Sequence, residues 1–87
     1  MNRKHHRILE AVFTVPTLAS IKFADVERLL VSFGAQKIEG RGSRNAFVLA
    51  SGAKWEAHRP HPGKEAKKYQ IESLREFISL FIEANDE

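Results

Sequence analysis

The twelve residues His58-Arg59-Pro60-His61-Pro62-Gly63-Lys64-Glu65-Ala66-Lys67-Lys68-Tyr69 set a firm limit on how this chain folds. Proline fixes φ and lacks an N–H, so Pro60 and Pro62 exclude both a helix and a central strand there. The segment must be a stiff loop joining two structured regions. A helical pattern starts at once beyond it, near Tyr69 or Gln70. Lysines at a helix start oppose the positive end of the helix dipole. That arrangement suits a bound anion, with phosphate the first candidate. Histidine is the side chain best fitted to move protons near neutral pH. Cations that grip phosphate beside proton carriers point towards RNA.

The chain's 87 residues allow one small domain. Its core must be thin, since a domain of this size buries only about 60–65% of its unfolded surface. There is no cysteine, which excludes disulfides and thiolate zinc sites and suits a reducing cytoplasm. No apolar run approaches membrane-spanning length, so no membrane association is expected. The basic start, from Met1 to Arg7, is followed by no long apolar stretch and does not read as a signal peptide. The net charge of +3 is unevenly spread. Between Arg41 and Lys68 stand Arg41, Arg44, Lys54, Arg59, Lys64, Lys67 and Lys68, opposed only by Glu56 and Glu65; residues 83–87 are acidic. A basic face of this kind fits a polyanion.

Periodicity predicts six elements. A first helix covers Lys4 to Phe13, with Asn2 as N-cap and Ile8, Leu9, Val12 and Phe13 as its apolar stripe. A second covers Phe23 to Phe33 and stops at Gly34. Three strands follow, over Gln36 to Glu39, Arg44 to Ala50 and Ala53 to His58, joined by Gly40-Arg41-Gly42-Ser43 and by a turn at Ser51-Gly52. The short turns predict an antiparallel meander. A last helix covers Gln70 to Ala84 and buries Ile71, Leu74, Phe77, Ile78 and Phe81. Leu80 and Ile82 lie partly off that stripe, so this helix is also expected to touch the N-terminal helix or a partner. The order α-α-β-β-β-α predicts a two-layer α+β domain, with helices on one face of a three-stranded sheet and the other face open. One domain is expected over residues 1–87: a helical extension over 1–20 and a core over 21–87.

Strand residues alternate between faces. Phe47 and Leu49, the large apolar pair of the second strand, are expected to face the helices, as are Trp55 and Ala57 in the third. Arg44, Ala46 and Val48 then share the open face with Lys54, Glu56 and His58. A register slip of one residue would invert the assignment. Trp55 reads as core rather than as a base-stacking platform. His58 and His61 form only a His-x-x-His pair on a proline-broken loop, which supplies too few ligands for a metal. His5 and His6 read as solvated helix residues. The glycines at 40 and 42 open no helix and do not match a nucleotide-binding loop.

These residues resemble a known family. Gly42-Ser43 after a first strand, an apolar second strand, then His58-Arg59-Pro60-His61-Pro62 and Lys64-Glu65 before a C-terminal helix, resemble the HicA family of type II toxins. The closest resemblance is to longer members with an extra N-terminal helix and an HRPHP motif, over about His6 to Ile82. The resemblance implies a fold like a double-stranded-RNA-binding domain, cleavage of mRNA without a metal or other cofactor, a HicB-like antitoxin as protein partner, and a cytoplasmic location in a bacterium or archaeon. It also implies a catalytic histidine directly after Gly-Ser, where this chain has Arg44. Arginine stays protonated and cannot be a base near neutral pH. It still grips phosphate and stabilises developing negative charge.

Metal-free RNA cleavage needs a base for the 2′-hydroxyl, an acid for the leaving 5′-oxygen and cations around the phosphate. The expected assignments are His58 as the main proton carrier, Arg44 on the scissile phosphate and His61 as second proton carrier. Arg41, Ser43, Arg59, Lys64, Lys67 and Lys68 are expected to bind flanking RNA. The alternative is a module without catalysis that binds RNA or an antitoxin; a protein-interaction domain without RNA affinity is a third reading.

Overall fold

The structure, a computed structural model, describes residues 2–82. Its elements are α1 (Arg3–Val12), α2 (Phe23–Ser32), β1 (Gln36–Glu39), β2 (Arg44–Val48), β3 (Lys54–His58) and α3 (Lys68–Phe81). This is the predicted α-α-β-β-β-α order, and the sheet is an antiparallel meander, β1-β2-β3. The architecture is α+β and double-stranded-RNA-binding-domain-like.

Local chemistry explains the boundaries. Asn2 caps α1, its Oδ1 accepting the His5 N–H at 2.8 Å. At the end of α2 the Gly34 N–H donates to Val31 O and the Ala35 N–H to Leu30 O. That pair of bonds is a Schellman motif, and Gly34 adopts the φ of +93° that it requires. Between β2 and β3 the chain reverses at residues 49–52, closed by Gly52 N–H to Leu49 O at 2.8 Å. β2 therefore ends at Val48, and β3 begins at Lys54.

One core lies between the sheet and the helices. Phe23, Val26, Leu29 and Leu30 of α2 meet Phe47 and Trp55 of the sheet and Ile71, Leu74, Phe77 and Ile78 of α3. The Trp55 ring centroid lies 6.5 Å from Phe23 and 6.0 Å from Phe47, and its indole N–H donates to Ser73 Oγ at 3.1 Å. Trp55 is thus a core residue, as the sequence predicts. Leu49 and Ala57 pack against the same core.

Two apolar residues depart from expectation. Helical spacing places Phe81 on the buried stripe of α3, but it is 52% exposed, its ring 5.3 Å from Phe77. Phe13 ends α1 as its C-cap and is also exposed. Both stand at a helix end and turn outward, while their neighbours Val12 and Ile82 pack on the core. α3 starts two residues early, at Lys68, and its described portion ends with Ile82 as C-cap. The expected extension to Ala84 and the acidic residues 83–87 lie outside the described residues.

α1 is held to α3 by a polar clasp. Arg75 donates through Nε to Val12 O at 3.0 Å and through Nη2 to Thr14 O and Thr17 Oγ1. A guanidinium on the last carbonyls of a helix satisfies groups that lack intrahelical partners and complements the dipole. The Thr17 hydroxyl passes the chain on to Glu72 at 3.1 Å.

Candidate nucleic-acid interface

The register between β2 and β3 decides which side chains meet. Arg44 stands opposite His58, Ala46 opposite Glu56 and Val48 opposite Lys54. These six side chains project from the face not covered by helices. Asn45, Phe47 and Trp55 are buried on the other face.

The Arg44–His58 pair is of the closer kind. The Arg59 N–H donates to Ser43 O at 2.8 Å, so the inter-strand bond flanks the pair rather than joining it. Arg44 turns its own backbone groups towards β1, donating to Arg41 O at 3.2 Å and accepting from Gly40 N at 2.8 Å. In a non-hydrogen-bonded antiparallel pair the Cα atoms approach to about 4.5 Å and the side chains lie nearest each other. The guanidinium and the imidazole therefore rise from adjacent points of one exposed surface.

Ser43 completes the group. Its Oγ lies 3.4 Å from His58 Nδ1, at the long end of hydrogen-bonding range. Contact at Nδ1 leaves Nε2 directed away from Ser43 for proton exchange. The direction of the Ser43–His58 bond follows the imidazole tautomer.

The remaining predicted residues divide. Arg41 is exposed on the β1–β2 turn, next to Gly42 at φ +62°. Lys64, Lys67 and Lys68 are exposed around the start of α3, whose first turn holds no acidic residue. Lys67 is the N-cap and has no acceptor to offer the first amides of the helix, which favours an anion there. Arg59 is directed elsewhere. Its Nη2 donates to Glu27 Oε2 at 2.7 Å, and its guanidinium lies 5.6 Å from the Phe23 ring centroid. It follows His58 by one position and so turns towards α2. His61 is exposed in the loop, and no hydrogen bond among the described residues joins it to Arg44 or His58.

The proline loop is pinned at its far end. The Phe23 N–H donates to Lys64 O at 2.9 Å and the Ala66 N–H to Ile21 O at 2.7 Å, flanking a bridge between Lys22 and Glu65. The loop thus spans from the end of β3 to the entry of α2 before α3 begins.

Two residues that sequence reasoning passed over lie beneath the site. Asn45 and Gln70 are the buried polar side chains among the described residues, each 4% exposed. Asn45 Nδ2 donates to Ser43 O at 3.2 Å, and Gln70 Nε2 donates to His58 O at 2.8 Å. A signal was available for both. Asn45 is a polar residue at an inward strand position, and Gln70 stands at the third helical position, where Gln commonly reaches back to the cap.

No group of three or more metal-ligating side chains occurs among the described residues. No described helix is long and apolar enough to cross a membrane. A groove between α1 and the segment leading into α2, lined by Arg3, Arg7, Ile8, Leu18 and Lys22 among others, contains none of the predicted site residues.

A family model described as "HicA toxin of bacterial toxin-antitoxin" matches residues 23–80, well over half of the chain. The chain belongs to the HicA toxin family. It is a toxin of a toxin-antitoxin system, and its partner class is an antitoxin. The match runs from the first residue of α2 almost to the end of α3, taking in the whole sheet and the proline loop. The α1 helix of this HicA toxin precedes the matched residues. No curated protein and no solved structure matches the chain.

Proposed function

We propose that this HicA toxin is a metal-independent endoribonuclease acting on mRNA in the cytoplasm, held inactive by a HicB-like antitoxin. The observation that carries the reading is the cross-strand pair of Arg44 and His58 on the open sheet face, with Ser43 Oγ at His58 Nδ1.

The pair matches the needs of 2′-hydroxyl transphosphorylation. Arg44 binds the non-bridging oxygens of the scissile phosphate and stabilises the charge that grows there. His58 takes the proton from the 2′-hydroxyl through Nε2, and O2′ attacks phosphorus. The O2′–P bond forms, the P–O5′ bond breaks, and the leaving oxygen takes a proton from His61 on the adjoining loop. The products are a 2′,3′-cyclic phosphate and a 5′-hydroxyl. Lys64, Lys67, Lys68 and the first amides of α3 hold a neighbouring phosphate, while Arg41 and Ser43 flank the site from the β1–β2 turn. Arg59 supports the site from below by fixing the end of β3 to α2.

Incubation of the purified chain with RNA in EDTA tests this. Discrete fragments ending in cyclic phosphate are expected, and their loss in His58→Ala by about two powers of ten or more. Undiminished cleavage by that variant removes His58 from the mechanism.

One observation favours a second reading. Arg44 fills the position after Gly42-Ser43 where the family resemblance expects a histidine. A chain that has lost catalysis would keep its RNA-binding or antitoxin-binding face. Salt-sensitive RNA binding without fragments in the same assay supports that module.

A further inference from the structure

We infer that Gln70 is the positioning residue for the His58 imidazole, coupling the start of α3 to the reacting end of β3. The inference rests on the nuclease reading above and adds to it a residue on a different element.

His58 is the last residue of an edge strand. In a non-hydrogen-bonded pair the backbone N–H and C=O point away from the partner strand. The His58 carbonyl is therefore directed off the sheet edge, where no further strand supplies a donor. Gln70 supplies it, with Nε2 2.8 Å from His58 O. The same side chain accepts the Lys67 N–H through Oε1 at 2.9 Å. Both ends of one amide are thus engaged, and the group is almost wholly shielded from water.

The consequence is geometric. The His58 carbonyl and the Arg59 N–H belong to one planar peptide, which the Arg59 bond to Ser43 O holds on the sheet side and the Gln70 bond holds on the outer side. Anchored on both sides, that peptide fixes the chain just after His58; with the strand pairing before it, this holds the His58 Cα, and so the root of the imidazole, in place relative to Arg44. A buried amide hydrogen bond with both ends satisfied is directional and resists loss, because breaking it leaves unpaired polar groups. The bridge also fixes the spacing between His58 and Lys67–Lys68, the two groups that the reading assigns to adjacent phosphates. Gln70 touches neither RNA nor the reacting atoms and acts only through His58.

The test compares the full-length chain with Gln70→Met, which keeps the length and loses both bonds, and Gln70→Asn, which keeps the amide but is one methylene too short to bridge. Single-turnover cleavage of a labelled RNA in EDTA, RNA affinity by salt titration and the His58 Cε1–Hε1 NMR signal are read for each. The rate constant is expected to fall about ten- to hundredfold, the scale of a misplaced catalytic group. Affinity should stay within about twofold, since the phosphate-binding cations remain. The His58 signal should move while those of His5 and His6 do not. A rate constant within twofold of wild type in a folded variant, with an unmoved His58 signal, overturns the inference and leaves the nuclease reading intact. If the wild-type chain cleaves no RNA, the nuclease reading falls, and the His58 signal alone decides for or against positioning by Gln70. Should one variant fail to fold, the other carries the comparison.

Discussion

Arg44 and Arg59 stand at neighbouring strand ends, yet the fold uses them in opposite ways. Arg44 lies on the open face, opposite His58, with no ion-pair partner among the described residues. Arg59 reaches the helix layer, where Glu27 and the Phe23 ring hold it. Lys37 also approaches Glu27, at 3.4 Å. A carboxylate already paired with two cations leaves neither of them fully available to a phosphate. Among the described residues, equal side chains one strand apart are thus left unpaired on the open face or tied to the helix layer according to the parity of their position.

The comparison breaks most sharply in the core. Phe47, opposite Trp55 on the inner face, is fully buried. Phe47→Ala should lower stability by about 3–5 kcal/mol, much of what a domain this small possesses. Urea denaturation reads the loss, and any fall in cleavage should follow the unfolded fraction. The outer face should behave oppositely. His58→Ala should remove about a hundredfold or more of cleavage while leaving the denaturation midpoint nearly unchanged, because its exposed ring buries little surface.

The two arginines give the next, smaller effect. Arg44→Ala should weaken RNA binding and flatten the salt dependence by about one counterion. Arg59→Ala should leave that slope unchanged and lower stability by about 1 kcal/mol, the scale of a partly exposed ion pair with a cation–π contact. Exchange of these two outcomes would reverse the assignment of faces. The smallest effect is expected at Asn2→Ala, remote from the sheet, where losing the α1 cap should lower stability by about 1 kcal/mol with no change in RNA affinity.

Much of this architecture was legible before folding was considered. Helical spacing from Phe23 to Phe33, the stop at Gly34 and the strand alternation around Phe47 and Trp55 all follow from local rules. So did the shared face of Arg44 and His58, because a period of two admits only two assignments and the bulky apolar residues choose between them. Less was legible in the proline segment. The sequence marks residues 59–66 as a stiff loop, but not the bridge between Lys22 and Glu65 that ties it to α2. Nor does it separate Arg59 from the other cations, since its partner Glu27 is 32 residues away. Phe81 failed for a related reason: spacing marks a stripe but not its edge, and at the end of α3 it is Ile82 that packs on the core while Phe81 stays exposed.

The chain alone determined its element order, most of its core-facing positions, its family and the pairing of a guanidinium with an imidazole on one face. Propensity, periodicity and motif are local properties, and each is written within a few residues. Only the tertiary structure decided that Ser43 Oγ meets His58, that Glu27 claims Arg59, and that Gln70 closes the open carbonyl at the edge of the sheet. Those contacts join residues 12 to 32 positions apart, and a hydrogen bond forms only when packing brings its donor and acceptor into range.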